Sequence, residues 1–280
     1  MSGILLVNKP QAITSFGVVA RLRKILNLKK IGHSGTLDPN ATGVLLVLLD
    51  KSTKLLPYLD YQDKTYHFKM KLGIKTDTGD IWGDIIEEQA WKSVSDEQIN
   101  DVFKSFVGHL KQLPPMYSAV KINGKKLYEY ARQDKIIERQ TREIEIFDLV
   151  LINHTQTELE GVVRCSKGTY IRTLCEDIAA QLNGLATMSY LQRTAIGKLT
   201  IDQAYSLEDI ESGAYQLLTP KEVLTDYPFI EYANIEDVYN GKPIRLDLDS
   251  ELVCIEHEHE LVAVYEKDKG HIYRCSRGLW

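Results

Sequence analysis

The segment Tyr66–Ile74 restricts the fold more than any other stretch of the chain. Tyr66, Phe68, Met70, Leu72 and Ile74 alternate with His67, Lys69, Lys71 and Gly73. A period of two puts the apolar set on one sheet face and the basic set on the other, so the chain must build a sheet with one covered face. Val44–Leu49 is apolar at every position, as expected of a strand buried on both sides. Further strands are read at Gly3–Val7, Glu143–Ile152, Leu159–Cys165 and Met188–Ile201, and Asn123-Gly124 signals a hairpin. Thr14 and Ser15 are N-cap candidates for a helix carrying Phe16, Val18, Val19, Leu22, Ile25 and Leu26 at helical spacing. Other helices are predicted from Ser95 to about Leu110, over Tyr170–Leu182, and in short pieces at Ser206–Glu211 and Pro220–Leu224. Strands and helices mix without regular βαβ alternation. The fold class is therefore α+β, with a mixed, mostly antiparallel central sheet flanked by helices.

The 280 residues suffice for one large domain and one small one. Tyr227-Pro228 opens a new compositional unit, in which Leu252–Ile255, Leu261–Tyr265 and His271–Cys275 read as short strands between polar turns. The expected division is a large domain over 1–228 and a small β-rich module over 229–280. No apolar run approaches the roughly 20 residues needed to span a bilayer. The opening MSGILLVNKP has no basic stretch ahead of its apolar residues, so no signal peptide is read there. Cys165, Cys175, Cys254 and Cys275 form no metal-finger spacing and read as reduced thiols of a cytoplasmic protein.

A net charge of −5 hides a gradient. Residues 1–75 carry 12 Lys+Arg against 4 Asp+Glu, whereas residues 173–280 carry 9 against 19. Residues 111–142 carry 8 against 3, with Tyr117, Tyr128 and Tyr130 interleaved. A basic segment with aromatic faces suits an RNA backbone and its bases. A solvated excursion with tyrosines at its edge is the competing reading.

The densest polar constellation is Gly32-His33-Ser34-Gly35-Thr36-Leu37-Asp38-Pro39-Asn40-Ala41-Thr42-Gly43. It has no lysine for a phosphate-binding P-loop and no Gly-x-Ser-x-Gly for a hydrolase elbow. Neighbours such as His33, Ser34 and Asp38 seldom make triad geometry. Asp38 stands out alone, because Pro39 holds it extended and the glycines at 32, 35 and 43 permit close approach. A carboxylate so placed can act as nucleophile or base without a metal. An Asp-Pro turn capping a nearby amide is the plain alternative. His257-Glu258-His259-Glu260 offers two alternating imidazoles, but no third ligand lies at motif spacing, so no metal is expected.

This loop, continued by Val44-Leu45, closely resembles the catalytic loop of the TruB family, tRNA pseudouridine synthases acting on the T loop. Six other segments resemble family motifs in order, covering roughly residues 3–197. They are Gly3-Ile4-Leu5-x-Val7-Asn8-Lys9-Pro10 with Thr14-Ser15, Lys64-Thr65-Tyr66, and Gly73-Ile74-x-Thr76-Asp77-Thr78-x-Asp80 followed by Gly83. The others are Pro114-Pro115-x-Tyr117-Ser118-Ala119-Val120-Lys121, Cys165–Leu174 and Leu191-x-Arg193-Thr194. The resemblance implies the pseudouridine synthase fold, an RNA-binding insertion at about 111–142, and a PUA-like C-terminal module. It also implies tRNA as partner through its T arm and T loop, no membrane, no obligatory protein partner and no cofactor. Asp38 is then the catalytic aspartate, Tyr66 stacks on the target base and Arg172 pairs with the aspartate. Leu191 helps form the pocket, His33 organises the flipped-out nucleotide, and Lys9 and Tyr170 lie near the site. Read singly, Tyr66 and Leu191 would be core residues and Arg172 an i,i+4 partner of Glu176. A non-catalytic RNA-binding or tRNA-chaperone protein is the alternative from a different class, and chaperoning is also compatible with catalysis. A guide-RNA-dependent relative is a third reading.

Overall fold

The computed structural model describes residues 2–59, 63–133 and 135–280. The chain forms two compact units, one of residues 1–39, 44–60 and 202–280, the other of residues 40–43 and 61–201.

The first unit starts with strand β1 (Gly3–Lys9), helix α1 (Ser15–Ile25), strand β2 (Ile31–Ser34) and strand β3 (Thr42–Leu49). The first two residues of β3 belong to the second unit. β3 neighbours β1 and pairs antiparallel with β2, which sets His33 opposite Val47. Thr14 caps α1, its hydroxyl accepting the Gly17 N–H. Val18, Val19 and Leu22 pack on Leu5, Val7 and Val47. Phe16, grouped with them by spacing, is turned outward instead and stays 64% exposed. The chain later returns to β1, where Ile4 and Leu218 exchange both backbone hydrogen bonds and the Asn8 N–H reaches the Tyr205 carbonyl.

Residues 229–278 form a five-stranded sheet in the order Phe229–Glu231, Leu252–His257, Glu260–Lys269, Ile272–Gly278 and Ile244–Arg245. Val238, Val253, Ile255, Tyr265 and Tyr273 make its core. The His257–Glu260 stretch is not a strand with alternating ligands. Glu258 and His259 both have positive φ, +50° and +65°, and turn the chain between two strands of this sheet. Among the described residues, no group of three or more His, Cys, Asp or Glu side chains is placed to hold a metal.

The second unit is built on a sheet in the order Ala186–Ile196, β4 (Lys64–Leu72), Glu158–Cys165, Arg142–His154 and Gly108–Gln112. All these pairings are antiparallel. Thr42 and Gly43 add a parallel contact to Gln192 and Arg193, so the sheet is mixed and mostly antiparallel. Helices Ile171–Gln181 and Asp96–Ser105 accompany it.

Three element ends differ from the sequence expectation. The strand read over Met188–Ile201 runs instead over Ala186–Ile196, because Gly197 at φ +54° turns the chain and Leu199–Thr200 pairs back on Ala195–Ile196. β4 stops at Leu72, because Gly73 at φ +86° redirects the chain and Ile74–Thr76 pairs with Ile85–Glu88. The helix capped by Ser95 ends at Ser105 rather than near Leu110. Gly108 at φ +113° breaks it, and Gly108–Gln112 joins the sheet edge against Arg142–Ile146. The basic face of β4 is neutralised by the adjacent strand. His67 Nε2 lies 2.6 Å from Glu160 Oε1, and Lys69 Nζ lies 3.4 and 3.3 Å from Glu158 and Glu160. Burial works to raise the Glu160 carboxyl, but hydrogen bonds from His67 and Lys69 outweigh it and hold that group below its usual range.

Candidate active site

Asp38 is partly buried in the loop between β2 and β3, and the peptides on both sides of it are clamped. On the N-terminal side, the buried Ser15 hydroxyl accepts the Leu37 N–H at 2.9 Å and donates to the Leu37 carbonyl at 3.2 Å. On the C-terminal side, Lys9 Nζ donates to the Pro39 carbonyl at 2.9 Å. The same ammonium also donates to the carbonyls of Pro10 and Ile13 at 2.9 and 2.6 Å. A fully buried lysine is tolerable because these carbonyls satisfy its donors. The carboxylate is therefore carried by a short backbone span held by side chains on both sides. His33 sits on β2, partly buried, four residues upstream of Leu37.

Gly43 explains part of the loop's glycine content differently from the sequence reading. It has φ +99°, and a Cβ built there would lie 2.2 Å from the Arg193 carbonyl oxygen. What approaches this glycine is the protein's own neighbouring strand.

In the second unit, β4 pairs Tyr66 with Arg193 and Phe68 with Leu191. Tyr66, Phe68, Leu191 and Arg193 thus share one sheet face, since directly paired residues point the same way and alternate residues of a strand do too. All four are buried. Arg172, in the first turn of helix Ile171–Gln181, is only 5% exposed. Its guanidinium donates to the Thr78 carbonyl at 2.9 Å and to the Tyr117 carbonyl at 2.8 Å. Two of the segments singled out in sequence, Thr76–Asp80 and Pro114–Lys121, are thereby held by the arginine of a third. Two residues before Arg172, the Tyr170 backbone is fixed by Gln112, which accepts its N–H at 2.8 Å and donates to its carbonyl at 3.0 Å. Glu176, one turn beyond Arg172, has its carboxyl raised by burial, with Lys75 the leading opposing charge.

Arg172→Lys is expected to loosen this junction, because a point ammonium cannot replace a planar fork aimed at two carbonyls. The loss should be about 2 kcal/mol, seen as a melting midpoint lowered by a few degrees. An unchanged midpoint would show that the two carbonyl contacts contribute nothing.

The Thr78–Asp84 turn is ordered by its own side chains. Asp80 Oδ1 accepts from the Thr78 hydroxyl and the Trp82 N–H, and Asp77 Oδ1 accepts the Asp84 N–H. In the basic segment 111–142, Asn123 and Gly124 make the predicted hairpin turn with φ +52° and +79°. Lys126 and Arg132 both lie over the Tyr128 ring, at 5.5 and 5.3 Å, so this ring faces cations of its own chain. Burial raises the thiols of Cys165 to about 11 and Cys254 to about 12, which leaves them poor nucleophiles at neutral pH. A cleft of about 640 Å³ lies elsewhere in this unit, beside Gly73, Trp91 and Thr157, and none of the expected site residues lines it.

Ser15, Gln112 and Arg193 carry structural roles at these positions that the sequence reading did not assign. In sequence Ser15 carries a capping signal and a place in the opening motif, Arg193 is only a motif letter, and Gln112 carries no signal.

Residues 23–171 match the TruB family pseudouridylate synthase N-terminal domain, and residues 172–226 match the tRNA pseudouridylate synthase B C-terminal domain. The chain is 40% identical over 279 residues to tRNA pseudouridine synthase B of Mesoplasma florum, covering 99% of this chain and 98% of that one. It is 41% identical over 287 residues to the protein of the same name from Geobacillus thermodenitrificans, covering 95% of each. Among solved structures, a chain in a Cbf5–Nop10–Gar1 complex superposes with a TM-score of 0.76 at 26% identity, covering 99% of this chain and 85% of that one. With family matches on both sides of Arg172 and identity at this level over nearly the whole length, the chain belongs to the TruB family of pseudouridylate synthases.

Proposed function

We propose that the chain converts uridine 55 in the T loop of tRNA to pseudouridine. The observation that carries this reading is the near-full-length similarity to tRNA pseudouridine synthases B. The reaction breaks the N1–C1′ bond, rotates the uracil and joins C5 to C1′, and the C5 proton is finally lost to N1 or solvent. No electrons leave the substrate and no water is added, so the chemistry needs no cofactor.

The residue roles follow that chemistry. Asp38 is the carboxylate that engages the sugar–base unit, on a backbone span clamped by Ser15 and Lys9. Tyr66 replaces the stacking that the target base loses when it leaves the loop. Arg172 is the cation that favours the ionised carboxylate, and Leu191 supplies apolar wall that retains the detached uracil. His33 organises the nucleotide, and Lys9 and Tyr170 support their neighbours through backbone contacts. Residues 1–228 form the catalytic domain in this reading, with the insertion at 111–142 contacting the T arm and 229–280 a PUA-like module.

Incubating the purified protein with an unmodified tRNA transcript should yield pseudouridine at position 55 alone, mapped by mass spectrometry after nuclease digestion. Binding of the transcript with no pseudouridine formed would instead favour a non-catalytic RNA-binding protein. Activity that appears only when a guide RNA is added would point to the third reading.

A further inference from the structure

The solvent face of α1 is not absorbed by the core or by the clamp on Asp38. Residues 2–37 contain no Asp or Glu and six Lys+Arg. Arg21, Lys24, Lys29 and Lys30 are exposed, and among the described residues none of them pairs with a carboxylate. Cations in a last helical turn complement the helix dipole, which accounts for Lys24 but not for Arg21 or for the two lysines beyond the helix. Phe16 lies seven residues before Arg23 on the same face. The Arg23 guanidinium sits 5.6 Å from the ring centroid, and Nη2 of Arg23 is anchored on the Ile31 carbonyl. A 64% exposed phenylalanine is thus held in place beside Ser15, the residue that grips Leu37 next to Asp38.

We propose that this face of α1, from Phe16 through Arg21, Arg23 and Lys24 to Lys29 and Lys30, docks the sugar–phosphate backbone of the substrate RNA. The exposed Phe16 ring packs against an unstacked nucleotide at the end nearest the Asp38 loop. The inference rests on the reading of the substrate as RNA. Positive charge without internal partners is complementary to a phosphate backbone, and a phosphate contact releases counterions and leaves a salt-dependent signature. A fixed aromatic ring accepts any base by its face. A helix with no acidic residue also adds no repulsion along the track.

The test is the dependence of tRNA-transcript affinity on potassium chloride, by filter binding. For Arg21→Gln/Lys24→Gln, the slope of log K against log salt should become shallower by about 1.4–1.8, and Kd at 0.1 M salt should rise roughly 10–50-fold. Lys29→Gln/Lys30→Gln, outside the helix and away from the core, should change the slope in the same direction. Lys92→Gln/Lys104→Gln removes the same charge elsewhere and should leave the wild-type slope. Phe16→Ala should raise Kd by at least about fivefold without altering the slope, and Phe16→Trp should restore affinity. Wild-type slopes for both α1-segment pairs, or slopes equal to that of the Lys92/Lys104 control, would overturn the proposal. A wild-type protein that binds tRNA with these slopes but forms no pseudouridine would instead overturn the functional reading and leave the docking surface standing.

Discussion

Asp38→Asn is expected to abolish pseudouridine formation, a fall of at least about 10⁴-fold in single-turnover rate, while tRNA Kd stays within about threefold. Asparagine keeps the size and much of the hydrogen-bonding capacity of aspartate, and Asp38 is flanked by Leu37 and Pro39, whose own backbone contacts come from Ser15 and Lys9. The loop should therefore keep its path, leaving loss of the negative charge as the dominant change. At about 1.4 kcal/mol per tenfold, that rate loss corresponds to roughly 5.5 kcal/mol of transition-state stabilisation. Mass-spectrometric quantification of pseudouridine and filter binding on the same preparation separate chemistry from recognition. Normal turnover by the variant would remove Asp38 from the mechanism, and loss of binding together with turnover would make it a recognition residue.

Gly43→Ala should be strongly destabilising. The added Cβ would stand 2.2 Å from the Arg193 oxygen and 2.9 Å from its carbonyl carbon and nitrogen, all backbone atoms that no rotamer change can move. The residue also has φ +99°, a conformation that alanine strongly disfavours. The pairing of Thr42 and Gly43 with Gln192 and Arg193 must then open. A cost of about 4 kcal/mol or more is expected, lowering the melting midpoint by roughly 8–16 °C. Gly168→Ala is the matched control: its φ is +82°, but nothing lies within 4 Å of the added carbon. It should cost about 1 kcal/mol, the conformational part alone. Equal losses for the two variants in thermal melts would show that close packing at Gly43 contributes little.

What could be read from sequence divides by range. The alternation along β4, the unbroken apolar run of β3 and the Asn123-Gly124 turn are local rules, and each appears in the structure with small changes at its ends. Apolar spacing alone misled at two glycines. Val107 and Leu110 continue a helical pattern and Ile74 continues a strand pattern, yet Gly108 and Gly73 redirect the backbone first. Phe16 fitted the apolar stripe of α1 but faces water, a position a lone phenylalanine takes without breaking the pattern. The supports around the site were beyond reach, because their partners are backbone carbonyls far away in the chain. Ser15 meets Leu37 across 22 residues, and Arg172 meets Tyr117 and Thr78 across 55 and 94. No side-chain pattern announces a carbonyl acceptor. Composition was similarly blind to the acidic strand beside β4, whose Glu158 and Glu160 offset the lysine and histidine that looked free.

The return of the chain onto β1 has a consequence for synthesis. β1 leaves the ribosome early, but the segment that hydrogen-bonds Ile4 and Asn8, around Tyr205 and Leu218, emerges about 200 residues later. At bacterial-scale elongation of roughly 5–20 residues per second, that is a wait of about 10–40 s. Residues 61–201 are complete before then and can fold first, so the unit containing Asp38 closes last. A chain halted after residue 201 has emerged but before residues 205–218 have would combine a complete second unit with an N-terminal strand paired to β3 on one edge only, an open edge prone to aggregation.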